Sequence, residues 1–198
     1  GGFNIVLGNP PWERVKLQEK EWFASRNENI SLASTAAVRK KLIKELEKED
    51  PDLYGLFLID KRKAEGDSHC VRNSGRYPLC GRGDINTYSI FTELNRQLIN
   101  RTGRVGCIVA TGIATDDTYK HFFSEIVNSN SLVAMLGFIN EEMIFPDVLH
   151  NFKFCLLILS GDEVTSANPD FIFNCFNMAE LGNEKRHFSL ISSCRKTL

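Results

Sequence analysis

Regular alternation of helical and strand patterns after Asp84 is the feature that most constrains how this chain can fold. The predicted elements are, in chain order, a helix over 85–100, a strand over 104–110, a helix over 116–128 and strands over 132–139, 152–160 and 171–175. Strands that alternate with helices indicate a layered α/β sheet. No comparable helix separates the strands over 132–139 and 152–160, so we expect them to form an antiparallel pair at one sheet edge.

The region that precedes Asp84 has a different pattern. An amphipathic helix is predicted over 35–49 and a second helix over 52–64, both with many lysines and glutamates on the polar face. Residues 65–83 are rich in glycine, serine and arginine, which predicts a mobile loop. This loop is the most basic exposed stretch of the chain, and its arginines are Arg72, Arg76 and Arg82.

Composition narrows the class of protein. The chain has 198 residues, of which 42% are hydrophobic and 25% charged, enough for one medium-sized domain with a core. No apolar run approaches the roughly 18 residues that span a bilayer, and no signal-peptide pattern is present, so we expect a soluble cytoplasmic protein without a membrane partner. The six cysteines include no CxxC pair, which favours reduced thiols and no metal site. A net charge of −1 predicts that any nucleic-acid contact is local.

The stretch "FNIVLGNPPWE", residues 3–13, ends a buried strand in an unusual way. Pro10 and Pro11 hold the backbone extended and stiff, because each fixes its own φ and the second restricts the first. The Pro10 carbonyl and the Asn9 amide are hydrogen-bond acceptors, and Trp12 adds a flat apolar face. Since open α/β sheets bind ligands at the carboxyl ends of their strands, we expect a rigid pocket there for a planar group that carries an NH₂.

Three stretches of the chain together resemble a known family. "NPPW" after "FNIVLG" resembles the fourth motif of the amino methyltransferases, and specifically of the adenine-N6 DNA methyltransferases. "GDINTYSIFTELNRQLINRTGRVGCIVATGIATDD", residues 83–117, resembles the segment that follows in large restriction-modification proteins of the Eco57I type. "EEMIFPDVLHNFKFCLLILS", residues 141–160, resembles their last motif. The resemblance covers about residues 3–160.

The resemblance implies a role for each residue of the motif. The catalytic residues carried over are Asn9, Pro10, Pro11 and Trp12. Asn9 and Pro10 would accept hydrogen bonds from N6 of an adenine swung out of the duplex, and Trp12 would stack on the base. Phe145 is the candidate for the opposite face of the base, with Phe152 as the reserve. Packing in the core is the alternative for Phe145, and a stiff turn with a core tryptophan is the alternative for the motif.

The methyl donor implied by the resemblance is S-adenosylmethionine. The glycine motif and acidic residue that hold this cofactor in the family lie upstream of NPPW, and the chain contains neither, so cofactor binding is expected mostly outside it, with Asn9 as the candidate within. Double-stranded DNA is the implied partner, through the full-length protein, and restriction or specificity subunits are further implied partners. Arg72, Arg76 and Arg82 are candidate phosphate contacts, although solvated loop charges are the commoner outcome.

The implied fold is Rossmann-like, and this chain would supply the carboxyl-terminal half of the sheet. Residues 1–160 would form the substrate half of the catalytic domain, interrupted by an insertion at about 13–83, and 161–198 would begin a target-recognition region. We therefore expect a fragment of a longer restriction-modification or phage-defence protein, inactive by itself. Methyltransferases acting on glutamine side chains or on RNA amines share the motif, and a catalytically inactive DNA-binding or interaction segment remains the alternative of another class.

Four other side chains are expected to have structural roles. Tyr88 and Phe91 lie three residues apart on one predicted helix face, which favours core positions for both. Asp116 and Asp117 follow a predicted strand in "ATDD", where helix capping is the expected role.

Overall fold

A computed structural model of the chain describes residues 1–189. It divides into two compact units: Gly1–Glu13 together with Tyr77–Leu198, here called the sheet unit, and Arg14–Arg76, the helical unit. The strands are β1 (Phe3–Gly8), β2 (Ile99–Ala110), β3 (Leu132–Ile139), β4 (Lys153–Ser160), β5 (Asp170–Cys175) and β6 (Phe188–Ser189). The α-helices are α1 (Glu19–Ala24), α2 (Glu28–Ser31), α3 (Ala36–Glu49), α4 (Pro51–Asn73), α5 (Thr87–Leu98), α6 (Gly112–Thr115) and α7 (Lys120–Asn128). Short 3₁₀ turns occupy 117–119, 140–142, 178–182 and 184–186.

The sheet unit contains one mixed sheet of six strands in the order β1-β2-β4-β3-β5-β6. β1 is parallel to β2, and β3 is parallel to β5, while β4 is antiparallel to both β2 and β3. Helices α5, α6 and α7 alternate with these strands along the chain. The α/β class predicted from the alternation and the Rossmann-like fold implied by the resemblance are therefore confirmed.

The antiparallel pairing of β3 with β4 is confirmed, but its predicted position at a sheet edge is wrong. β4 lies between β2 and β3, and β5 and β6 extend the sheet beyond β3. The sequence of β4, "KFCLLILS", explains this position. Its six central residues are all apolar, and five of its eight residues are buried. A strand buried on both faces requires a nearly continuous apolar run, which suits the middle of a sheet.

The strand β1 stands at the other end of the sheet, with β2 as its single neighbour among the described strands. Its residues Phe3, Ile5 and Leu7 project to one side and are 60%, 65% and 79% exposed. The prediction of a buried strand is therefore correct for the element and wrong for its burial within the described residues, because the face that carries these three side chains is not covered by another layer.

The helical unit has its own core. Phe23, Ile30, Ile43, Leu46 and Phe57 are buried there. The predicted helix over 35–49 is confirmed as α3, whose Thr35 hydroxyl caps the first turn by accepting from the Val38 N–H at 3.2 Å.

The predicted loop over 65–83 is wrong in its first half, because α4 continues to Asn73. Asp50 caps α4 and Pro51 occupies its first turn, which is a strong helix start. The lysines, arginines and glutamate that follow are good helix formers, and Gly66 costs only about 1 kcal/mol in a helix interior. Arg72 therefore lies on a helix.

Residues 161–189 lie beyond the predicted catalytic span and add β5 and β6 to the sheet. The assignment of 161–198 to target recognition stays a prediction, and residues 190–198 lie outside the described part.

Candidate functional site

Four chain segments meet at one edge of the sheet. The carboxyl ends of β1 and β2 lie side by side because these strands are parallel, with Gly8 opposite Cys107. β4 runs the other way, so its beginning reaches the same edge, where Phe154 pairs with Ala110. β3 ends there too, with Ile139 opposite Lys153. Loops that are far apart in sequence are thus brought together at the edge where open α/β sheets bind ligands.

The turn after β1 carries the predicted motif. Asn9 is exposed, Pro10 is buried, Pro11 is exposed and Trp12 is half-buried. The Asn9 side chain therefore reaches solvent at the carboxyl end of a strand, while the next residue is packed against the protein. The acceptor pocket predicted for this turn stays a prediction.

Thr87, the first residue of α5, anchors this turn. Its hydroxyl donates to the Pro11 carbonyl at 2.6 Å and accepts from the Glu13 N–H at 3.1 Å. Its own N–H donates to the Glu13 carbonyl at 2.8 Å. The backbone on the far side of the prolines is therefore fixed by one residue 76 positions away. Sequence reasoning missed Thr87, because nothing local to "NTY" indicates a partner so distant.

Trp12 lies in an aromatic cluster. Its indole Nε1 donates to the Ile108 carbonyl at 3.3 Å. The ring stacks nearly parallel to Phe152, at 10° with centroids 5.2 Å apart, and meets Phe145 edge to face at 5.7 Å. The structure thus brings together Trp12, Phe145 and Phe152. It also packs Trp12 and Phe145 against the buried Phe154, so both side chains contribute to packing.

Asn140 holds the loop that carries Phe145. This side chain is 0% exposed, and its Nδ2 donates to the carbonyls of Phe145 at 2.8 Å and Val148 at 2.9 Å. Its Oδ1 accepts from the Phe145 N–H at 2.9 Å. A buried amide with all these partners fixes the loop backbone, because every broken bond would leave a polar group without water. Asn140 was also missed, although its place between a strand and "EEMIF" is a common one for a polar turn residue.

A cavity of about 680 Å³ adjoins the cluster. Its polar lining includes Asn86, Tyr88, Thr111, Asp116, Lys153 and Asn174, and its aromatic lining includes Phe152 and Phe173. The volume lies in the range of about 300 to 1,000 Å³ that is typical of small-molecule sites. The site therefore combines a sizeable cavity, a few polar groups and an aromatic wall.

Tyr88 and Asp116 come close together on one side of this cavity. Burial, followed by the neighbouring Tyr119, raises the pKa of the Tyr88 hydroxyl well above its usual range, so this phenol stays neutral. A Cβ on Gly112 would lie 2.6 Å from the Asp116 Oδ2 and 3.2 Å from the Tyr88 hydroxyl, so a side chain at position 112 would displace the Asp116 carboxylate. The Asp116 side chain makes no capping hydrogen bond, which corrects the expected capping role.

The predictions for α5 and for the three arginines of the predicted loop over 65–83 have mixed outcomes. Tyr88 is 4% exposed, as a core position requires, but Phe91 is 42% exposed and is not in the core. Arg72 and Arg76 belong to the helical unit and Arg82 to the sheet unit. The three arginines are therefore not gathered in one unit, and their contact with phosphates stays a prediction.

Thiols and acidic groups give no metal centre in the described part of the chain. Within residues 1–189, no group of three or more His, Cys, Asp or Glu side chains is arranged to hold a metal ion. Burial raises the pKa of the Cys155 thiol to about 12, and burial also raises the pKa of Cys107. Both are neutral core side chains.

None of the described helices combines the length and the apolar character needed to cross a membrane.

Comparison with known proteins gives distant structural similarity alone. No protein-family model and no curated protein matches the sequence. The structure is similar to part of the ATP-dependent Type ISP restriction-modification enzyme LlaBIII bound to DNA, at 10% identity and a TM-score of 0.47, over 95% of this chain and 12% of that one. It is similar to part of the DrdV–DNA complex, at 12% identity and a TM-score of 0.43, over 86% of this chain and 14% of that one.

A third similar structure is a protein from Listeria monocytogenes assigned to the class I S-adenosylmethionine-dependent methyltransferases. The identity is 12% and the TM-score 0.40, over 52% of this chain and 32% of that one. This chain spans less than a third of each of the three proteins. No TM-score reaches 0.5, so the function proposed below depends on the residues of the site.

Proposed function

We propose that this chain forms the substrate half of the catalytic domain of a DNA methyltransferase that transfers a methyl group from S-adenosylmethionine to N6 of adenine, within a restriction-modification or phage-defence protein. The observation that carries the proposal is the rigid Asn9–Trp12 turn at the carboxyl end of β1, anchored by Thr87 and placed beside an aromatic cluster and a cavity. Double-stranded DNA is the proposed partner, bound by the full-length protein.

The proposed role of Asn9 and Pro10 is to accept the two hydrogens of an exocyclic amine. Asn9 is exposed, so its side-chain oxygen can reach a substrate. Thr87 fixes the Pro11 carbonyl, in the peptide plane next to that of the Pro10 carbonyl. Two fixed acceptors would orient the N6 lone pair out of conjugation with the ring, and positioning of this kind supplies much of the rate in group-transfer reactions.

The proposed role of the aromatic cluster is to bind the base after it leaves the duplex. Trp12 and Phe152 are already parallel, which supports a base inserted between them rather than a base that meets Phe145 alone. Their centroids lie 5.2 Å apart, so the two rings must separate to admit a base, since each stacked contact needs about 3.5 Å. Phe145, which meets Trp12 edge to face, would border the base.

S-adenosylmethionine, when bound, supplies an electrophilic methyl group. Asn9 is the residue of this chain proposed to face it, because it is the exposed polar side chain at the end of β1. Methylated N6 is acidic and loses its proton to water, so no described residue is assigned as a general base. The neutral Tyr88 hydroxyl can donate to or accept from a ligand in the cavity without carrying charge.

The test is methyl transfer by the full-length protein from labelled S-adenosylmethionine to duplex DNA, RNA and a protein extract. We expect label in N6-methyladenine from DNA, lost in Asn9→Ala with cofactor binding retained. Trp12→Ala should lose about 1 to 3 kcal/mol of base stacking, measured with 2-aminopurine at the target adenine. Phe91→Ala, which removes an exposed aromatic ring of α5 outside the cluster, is the control and should transfer normally.

Three outcomes would contradict the proposal in different ways. Label in RNA or protein would keep the acceptor pocket and replace the substrate. Transfer that survives Asn9→Ala while cofactor binding is lost would reverse the roles assigned to this turn. Absence of label in every acceptor would favour an inactive DNA-binding or interaction segment.

A further inference from the structure

A groove along α4 of the helical unit contains more basic than acidic side chains. Its volume is about 650 Å³. The basic side chains that line it are Lys16, Lys20, Arg39, Lys61 and Arg72. Glu19 and Glu65 are the acidic ones, and we call this feature the α4 groove. The chain as a whole has a net charge of −1, so the groove is a local concentration of positive charge.

The α4 groove is elongated. Its lining on α4 begins at Phe57 and ends at Arg72, with Lys61, Ala64 and Ser68 between them on the same face. The fifteen steps from Phe57 to Arg72 extend about 22 Å at 1.5 Å per residue. The groove is therefore a long channel with cations along its sides rather than a compact pocket around one point.

Arg39 supplies the most direct sign of a missing ligand. Its side chain is 15% exposed, and its Nε is buried without a hydrogen-bond partner among the described residues. Glu19 Oε2 lies 3.7 Å from this Nε, so the two side chains form an ion pair, but the distance is too long for a hydrogen bond. A buried guanidinium N–H without an acceptor is costly, and an anionic oxygen is the acceptor it binds best.

We propose that the α4 groove binds the sugar–phosphate backbone of a nucleic-acid strand without regard to sequence. Each strand of a DNA duplex carries one phosphate per about 3.4 Å of helix axis, so a channel of about 22 Å faces several of them. A single phosphate would reach one or two of the five cations, which are spread along the channel. The proposal is independent of the methyltransferase function, because it involves no residue of the sheet unit.

The test uses fluorescence anisotropy of the full chain with two labelled probes that contain no adenine, an oligo-dT strand and a dG·dC duplex. Neither probe can occupy an adenine site, so binding reports on backbone contacts. The double variant Lys61→Gln/Arg72→Gln should weaken binding roughly tenfold. It should also reduce the slope of log K against log salt by about 1.4 for the strand or about 1.8 for the duplex.

The matched control is Lys40→Gln/Lys44→Gln, which removes the same charge from exposed positions of α3 outside the groove. A second groove variant, Lys16→Gln/Lys20→Gln, covers the case in which the first one fails to fold. The proposal requires both groove variants to lose affinity and the control to keep it. Equal losses in all three, or no binding by the unaltered chain, would overturn it. Neither probe contains an adenine to be methylated, so a failed methyl-transfer assay leaves this result intact.

Discussion

At the scale of single residues, the site depends on two kinds of polar side chain. Asn9 faces solvent and can meet a substrate, whereas Thr87 and Asn140 bind backbone and hold the loops in place. The prolines could be interpreted from the sequence, because each acts on its own φ and on its neighbour. Thr87 and Asn140 could not, because their hydrogen bonds exist only after distant segments have come together.

Thr87→Val tests whether the anchored turn matters for chemistry. Valine keeps the shape but removes both the donor to the Pro11 carbonyl and the acceptor of the Glu13 N–H. If the proposed function is correct, methyl transfer should fall at least about tenfold, because small displacements of a positioning group cost up to about a hundredfold. The measurement is kcat with the melting temperature recorded beside it.

Thr87→Ser retains the hydroxyl and should restore most of the lost rate. Thr102→Val, an exposed threonine at the start of β2, should leave the rate unchanged. A large loss of melting temperature with a normal rate in the folded fraction would show that Thr87 serves stability alone.

At the scale of elements, the loop between β3 and β4 depends on one buried amide. The sequence predicted both strands with nearly correct ends, since their apolar runs are continuous and the polar segment between them is clear. It did not predict that β4 would lie inside the sheet. The order of strands depends on which strands pair with one another, and the composition of a single strand does not specify its partners. The loop geometry likewise depends on Asn140 and could not be derived from local composition.

Asn140→Ala should destabilise the protein by about 2 kcal/mol, because the Phe145 N–H and the Val148 carbonyl lose a buried partner. Urea unfolding of this variant should be compared with Asn128→Ala, an exposed asparagine on α7, which should change stability by less than about 0.5 kcal/mol. Equal effects in the two variants would show that the Asn140 hydrogen bonds contribute little.

At the scale of the whole molecule, His187 makes the stability of the sheet unit depend on pH. Its Nδ1 lies 2.8 Å from the Asp170 carboxylate and its Nε2 lies 3.0 Å from the Leu181 carbonyl. The hydrogen bond to Asp170, followed by that to Leu181, raises the pKa of His187. Protonation is therefore favoured in the folded state, and the contribution is complete below the unfolded pKa and is lost as pH rises through the folded one.

The comparison is the melting temperature of the unaltered protein minus that of His187→Gln. We expect this difference to be larger at about pH 5.5 than at about pH 8.5, since an unperturbed histidine titrates near 6.5. His150→Gln, at an exposed position, should show no such trend. A difference that grows towards high pH would mean that the neutral ring is the stabilising form.

The pairing of β1 with β2 also sets an order for folding. Phe3 pairs with Ile99, so β1 leaves the ribosome long before its partner strand exists, and the helical unit is made in the interval. A helical unit with its own core shortens the flexible chain that must close when β1 meets β2, and the entropy of closure depends on that flexible length. Early collapse of residues 14–76 would thus speed the pairing of β1 with β2, and mutations in that core would delay it.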